Sequence, residues 1–186
     1  LPGFFFIKET LMKFELIKSE ITYEGRAFSV RRDDLRTPGG NTVKYDIIEH
    51  IGSVIIVPVD ENNQMYFVRQ YRHAAQTDLL ELPAGTLEPS EPPEKAAARE
   101  IREETGMAAG MLKEIGRFYL APGYSTELMH VFLASGLSHD PLQPDVDEYL
   151  SVEKIPVAKA YQLAESGQML DAKSLAALLL AKSHLA

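Results

Sequence analysis

Apolar and polar residues alternate along the first third of the chain with a period of two. The strings FELIKSEITYEG, RAFSVRRDDLRT and TVKYDIIEH, spanning about 14–50, each carry this pattern, and Pro38, Gly39, Gly40 and Asn41 separate the last two. Alternation broken by a proline–glycine cluster is a strand–turn–strand signal, so the region predicts an N-terminal hairpin or small antiparallel sheet. Next, GSVIIVPVD is almost continuously apolar, as a strand covered on both faces would be. A turn at 61–64 leads into QMYFVRQYR, and 79–82 predicts a short strand. Further on, MLKEIGRFYL and ELMHVFLAS read as two strands joined through 121–126. The stretch SHDPLQPDVDEY is polar and proline-punctuated and reads as a loop. A last strand is predicted at 151–156, followed by helices at 157–166 and 171–184, the second with a stripe of Leu175, Leu178 and Leu179.

Between the two halves of this strand pattern lies a stretch of different character, GTLEPSEPPEKAAAREIREETGM, over 85–107. Pro92 and Pro93 suit the first turn of a helix, where a missing N–H costs nothing, and Gly106 stands where a helix ends. The expected helix covers 92–105. Glu100, Glu103 and Glu104 then fall at i, i+3 and i+4 and share a face, while Ala97, Ile101 and Thr105 line a face that can pack on a core. Two carboxylates about 6 Å apart repel by roughly 3 kcal/mol at an effective dielectric near 20. A hard divalent cation cancels that repulsion, and an oxygen-only donor set suits Mg²⁺ or Mn²⁺. A solvated acidic face relieved by Arg99 and Arg102 is the plainer alternative for the glutamates taken alone.

Composition narrows the field. With 186 residues, 45% of them hydrophobic, the chain can bury one substantial core. A net charge of −8 argues against binding duplex nucleic acid or an anionic membrane surface, which calls for a basic patch. Cysteine is absent, which removes disulfides, zinc–thiolate sites and a thiol nucleophile from consideration. No apolar run approaches the length of a membrane span. The opening residues lack a basic region and a small-residue cleavage site, so they read as an N-terminal extension over 1–12 and not as a secretory signal. The expected organisation is that extension, a β-sheet region over 13–50, and a main domain over 51–186.

The fixed residues of the 85–107 stretch are Gly85, Glu91, Arg99, Glu100, Ile101, Glu103, Glu104, Gly106 and Met107. They resemble, position for position, the signature of the Nudix hydrolases: G, five residues, E, seven residues, then R-E-aliphatic-x-E-E-x-G-aliphatic. Pro122, in APGYSTE fifteen residues past Met107, resembles a marker of the ADP-ribose pyrophosphatase subfamily. Leu82-Pro83-Ala84-Gly85 and Arg69-Gln70-Tyr71-Arg72 are similar to that subfamily as well.

The resemblance implies an α/β/α sandwich with a mixed sheet, preceded by the small antiparallel sheet. It implies hydrolysis of ADP-ribose to AMP and ribose 5-phosphate with Mg²⁺ or Mn²⁺, about two or three ions. The alternatives are the same cleavage on another nucleoside diphosphate sugar such as GDP-mannose, or a non-catalytic nucleotide sensor. Carried over by position, Glu100 and Glu104 are the principal metal ligands, with Glu103 and the Ala84 carbonyl completing the site. Arg99, and Glu91 beside it, orient a glutamate. Arg72 contacts phosphate, and Glu148 is the expected general base, with Asp147 the alternative in the same loop. Glu127 is a further candidate near the substrate, and Phe28 and Tyr45 stand where aromatic residues clamp the adenine. A cytoplasmic homodimer is expected, with no nucleic-acid or membrane partner.

Overall fold

A computed structural model describes residues 13–26, 28–143 and 149–185. The chain divides into two compact units, one of residues 1–50 with 123–126 and one of 51–122 with 127–186.

The first unit is a three-stranded antiparallel sheet in the order β1 (Glu15–Glu24), β2 (Ser29–Arg36) and β3 (Thr42–Glu49). The turn between β2 and β3 lies at the expected Pro-Gly-Gly-Asn, where Gly40 takes a left-handed φ of 87° and its N–H donates to Thr37 O at 2.9 Å. The segment 123–126 joins this sheet through a parallel bridge between Ser125 and Ile48. Every residue of β1 is exposed, and Leu16, Ile17, Ile21 and Tyr23 show apolar surface.

The second unit is built on β4 (Ser53–Pro58), whose six residues are all buried. Period-two geometry divides its continuous apolar run between two cores. Ile55 and Val57 face one cluster with Met65, Phe67, Val131, Ala177 and Leu178. Val54 and Ile56 face another with Ala97, Ile101 and Phe132. β4 pairs in parallel with β9 (Leu128–His139) and antiparallel with β7 (Ala84–Thr86), and β8 (Met107–Tyr119) completes a mixed sheet in the order β7-β4-β9-β8. A second, antiparallel sheet has the order β10-β5-β6, from β5 (Gln64–Arg72), β6 (Thr77–Glu81) and β10 (Leu150–Pro156).

Helix α1 (Pro93–Thr105) covers one core, and α2 (Val157–Glu165) and α3 (Ala172–Ala181) cover the other, which gives the expected α/β/α layering. The strands of this unit form two sheets and not one continuous one. β8 starts at Met107, earlier than its sequence suggests, because Met107–Ala109 find register partners in Leu137–His139. β9 accordingly runs on to His139, two residues into the stretch expected to be a loop. α3 ends at Ala181, and a single 3₁₀ turn follows over Lys182–His184. Among the described residues, no helix is long and apolar enough to cross a membrane.

Candidate active site

α1 begins with Pro93 at its first helical position, where the absent N–H is one the helix would leave unpaired. It ends at Gly106, whose left-handed φ of 72° favours a residue without Cβ and lets its N–H cap Arg102 O at 3.1 Å. Ala96, Ala97 and Ile101 anchor the helix with no exposed surface. That packing holds the glutamate face against the strand-to-loop passage 84–91. Glu100 and Glu104 are themselves buried, an expensive position for a carboxylate without partners.

Their partners are specific. The backbone N–H of Ala84 donates to Glu104 Oε2 at 2.9 Å. Arg99 Nη1 donates to Glu100 Oε1 at 2.6 Å and to Glu103 Oε2 at 2.9 Å. Its Nε and Nη2 grip Glu91 at 3.1 and 2.9 Å, and Nη2 also reaches Thr86 O at 3.2 Å. The hydrogen bonds from Arg99 hold the Glu91 carboxyl below its ordinary value, although partial burial opposes them. The same bonds keep Arg99 firmly protonated. Arg102, expected to help neutralise the acidic face, instead reaches Asp140, with Nη2 at 3.0 Å from Oδ2.

A cavity of about 530 Å³ opens on this face, and Glu100, Glu103, Glu104, Ala84, Gly85 and Arg99 line it. Arg72, Glu127, Ser53, Gln70 and Lys173 line the same cavity. Ser53 Oγ donates to Glu127 Oε1 at 2.8 Å, which fixes that carboxylate's orientation. Arg72 forms a two-pronged pair with Glu81, Nε to Oε1 at 2.8 Å and Nη2 to Oε2 at 2.7 Å. Burial raises the Glu81 carboxyl, but Arg72 and Lys173 outweigh it and hold it below its ordinary value.

The donor set fits a divalent cation. Three carboxylates on one helix face meet a strand whose Gly85 has no Cβ, and a Cβ there would stand 1.9 Å from Glu100 Oε1, so the space beside the strand belongs to that carboxylate. The three glutamates and the Ala84 carbonyl offer only oxygen, the preference of Mg²⁺ and Mn²⁺. Among the described residues, no three carboxylate or imidazole groups already converge as a metal cage. Arg99 Nη1 holds Glu100 and Glu103, while the Ala84 N–H holds Glu104 separately.

Of the residues expected from sequence, the structure thus brings Glu100, Glu103, Glu104, Ala84, Arg99, Arg72 and Glu127 to one cavity. Glu148 and Asp147 lie outside the described residues. Phe28 and Tyr45 belong to the N-terminal sheet unit, half-exposed, with Phe28 tilted against Tyr23 and Tyr45 edge-on to Phe14, both at 6.3 Å. Sequence reasoning passed over Glu81, Lys173 and Ser53. A signal existed for Glu81, a charged residue inside the apolar run Leu79, Leu80, Leu82.

An α/β/α domain whose cavity sets helix carboxylates beside a strand glycine and opposite cationic side chains suits the class of metal-assisted hydrolases. The chain belongs to the NUDIX domain family, which matches residues 49–178. It is 36% identical over 160 residues to an ADP-ribose pyrophosphatase of Bacillus subtilis (strain 168), covering 85% of this chain and 86% of that protein. It is 38% identical over 169 residues to an ADP-ribose pyrophosphatase of Mycobacterium tuberculosis (strain ATCC 25618 / H37Rv), covering 89% of this chain and 82% of that one. A crystal structure of an ADP compounds hydrolase superposes with a TM-score of 0.86 at 27% identity, covering 95% of this chain and 96% of the other.

Proposed function

We propose that this chain hydrolyses the diphosphate of ADP-ribose to AMP and ribose 5-phosphate, using Mg²⁺ or Mn²⁺. The observation that carries the reading is the meeting, in one cavity, of the three α1 glutamates with Arg72, in a chain similar to two ADP-ribose pyrophosphatases. Glu100, Glu103, Glu104 and the Ala84 carbonyl would hold the metal. When bound, about two or three divalent ions supply Lewis acidity that lowers the pKa of water and offsets phosphate charge.

The chain's own residues do the rest. Arg72, held by Glu81, offers guanidinium N–H groups to a phosphate oxygen. Arg99 sets the orientation of Glu100 and Glu103. The oxygen of a water molecule forms a bond to one phosphorus, and the bond from that phosphorus to the bridging oxygen breaks. The bridging oxygen keeps the electron pair and leaves on the second phosphate. A carboxylate takes the water's proton. Glu148 has that role by resemblance, and Glu127, steered by Ser53, is the described carboxylate next placed for it. Phe28 and Tyr45 are proposed to hold the adenine. The exposed apolar side chains of the N-terminal sheet support a homodimer built through that element, and its location is proposed to be cytoplasmic.

A panel of ADP-ribose, GDP-mannose, NADH and diadenosine polyphosphates, each with Mg²⁺ and with EDTA, tests the reading. ADP-ribose is expected to give the highest kcat/KM and to be inert in EDTA. Preference for GDP-mannose would transfer the activity to another nucleoside diphosphate sugar, and no turnover of any member would leave a nucleotide sensor.

A further inference from the structure

We propose that Ser90, in the turn before α1, is a positioning residue: its left-handed backbone aims Glu91 at Arg99 and so keeps that guanidinium from closing on the metal-binding glutamates. The proposal rests on reading Glu100, Glu103 and Glu104 as metal ligands. Glu88, Pro89, Ser90 and Glu91 form a β-turn, closed by the Glu91 N–H donating to Glu88 O at 2.9 Å. A proline second and a left-handed residue third is the type II pattern, whose third position ordinarily takes glycine or asparagine. Ser90 occupies it with a φ of 66°, a conformation in which a Cβ crowds the following carbonyl oxygen. The residue itself is exposed, so what it gives the site is the direction of the backbone.

That direction folds Glu91 back over the turn. Glu91 Oε2 accepts from the Glu88 N–H and from Arg99 Nη2, both at 2.9 Å, and Oε1 accepts from Arg99 Nε at 3.1 Å. A guanidinium has five N–H groups, and here all five are placed. Nε and one Nη2 hydrogen go to Glu91, the other Nη2 hydrogen to Thr86 O, and the two Nη1 hydrogens to Glu100 and Glu103. Glu91 therefore holds one edge of the fork, and only the Nη1 corner reaches the glutamates of the cavity. Released from Glu91, Arg99 has a stronger pairing within reach, a two-pronged grip on Glu100 or Glu103. Such a grip would compete with a divalent cation for the same oxygens.

The local sequence makes Ser90 decisive for Glu91. Pro92 and Pro93 carry no N–H, so the Glu91 N–H is the last backbone donor before the helix, and the turn supplies its acceptor. If Ser90 relaxes to negative φ, that bond opens, and the Glu91 carboxylate leaves the Glu88 N–H and Arg99 together. Helix α1 stays anchored by Ala96, Ala97 and Ile101, which have no exposed surface. A loosened turn thus acts on the metal ligands more than on the fold.

The test is Mn²⁺ titration of the full chain followed by electron paramagnetic resonance, with melting temperatures and steady-state kinetics on the same preparations. Ser90→Val, β-branched and ill-suited to positive φ, is expected to weaken Mn²⁺ binding about tenfold or more, the loss typical when a partner of metal ligands is disturbed. Ser90→Gly and Ser90→Asn, which suit the left-handed turn, are expected to stay within about threefold of wild type. Should Ser90→Val fail to fold, Ser90→Thr, also β-branched, is read in its place. In a Glu91→Gln background Ser90→Val should add less than about threefold, because it acts through Glu91. Mn²⁺ affinity of Ser90→Val within about threefold of wild type, a further loss of about tenfold in the Glu91→Gln background, or no Mn²⁺ uptake by the wild type overturns the inference. Ser90-dependent Mn²⁺ affinity with no turnover of any nucleoside diphosphate sugar would sink the proposed activity and leave the inference standing. Turnover of ADP-ribose with Mn²⁺ affinity indifferent to Ser90→Val would do the reverse.

Discussion

Gly85→Ala puts a single methyl group where the Glu100 carboxylate stands. An ideal Cβ at Gly85 lies 1.9 Å from Oε1, 2.0 Å from Cδ and 2.3 Å from Oε2 of Glu100. Retreating from 1.9 Å merely to the 3.0 Å below which real Cβ contacts do not fall moves the carboxylate by about 1.1 Å. A misplacement of about 1 Å at a reacting centre costs roughly 10²-fold in rate, so kcat on ADP-ribose is expected to drop by about that factor. Stability responds differently. The φ of Gly85 is not positive, so alanine fits the backbone and gains about 0.4–1 kcal/mol by restricting the unfolded chain. Displacing the buried Glu100 carboxylate from Arg99 outweighs that gain, since forcing a methyl into occupied space costs about 1–3 kcal/mol and the pair it disturbs is not a surface one. The net change is a loss of about 1–2 kcal/mol, or about 2–8 °C in Tm for a chain of this size. Scanning fluorimetry and steady-state turnover measured on one preparation separate the two effects. Activity within about threefold of wild type, with an unchanged Tm, would falsify the placement of Glu100 as a group whose position the reaction needs.

Glu81→Gln leaves Arg72 and Lys173 without their shared charge and should cost about 2–3 kcal/mol at neutral pH, at the low end for a broken buried pair because Arg72 is partly exposed. The Glu81 carboxyl is held below its ordinary value. Its stabilisation is therefore complete above the unfolded carboxyl pKa of about 4.3 and fades as pH falls through the lower folded value. Urea melts across pH 3–7 should show the gap between wild type and Glu81→Gln closing below about pH 4; a gap independent of pH contradicts the ion-pair account. Glu148→Gln should lower kcat by about 10²–10⁴ with KM nearly constant and partial rescue at high pH. If that variant stays near wild type while Glu127→Gln is crippled, the base is Glu127. Sedimentation velocity should give a dimer, and a monomer with normal KM for ADP-ribose would remove the proposed homodimer as a requirement of the activity.

The elements that sequence made legible are those whose signal is local. Pro93 and Gly106 mark the ends of α1 through backbone chemistry that needs no tertiary context, and the unbroken apolar run 54–57 marks a strand covered on both faces. The glutamate face of α1 follows from helical spacing alone. The parts that stayed hidden depend on pairing across the chain. Glu81 and Lys173 are 92 residues apart, and no periodicity connects them. Met107–Gly110 is poor in strand-forming side chains, and it is strand only because β9 supplies its register and because Gly110 and Gly136 let the backbones approach, a Cβ on Gly110 standing 3.0 Å from Gly136 O. Arg102 looked like a neighbour of the glutamates by helical spacing, but Asp140, beyond the β8–β9 hairpin, captures it.

The claim at the centre of the account is that the α1 glutamates hold the catalytic metal. Electron paramagnetic resonance of Mn²⁺ titrated into wild type and into the Glu100→Gln, Glu104→Gln double variant, with ADP-ribose turnover read on the same samples, tests it directly. Wild type should remove free Mn²⁺ from the signal and turn over substrate in proportion to the bound ion. The double variant should bind at least about 10²-fold more weakly and lose turnover, while its circular dichroism is unchanged, because Ala97 and Ile101 still pack α1. Equal Mn²⁺ uptake by both proteins, or full turnover by the variant, would place the metal elsewhere and contradict the account.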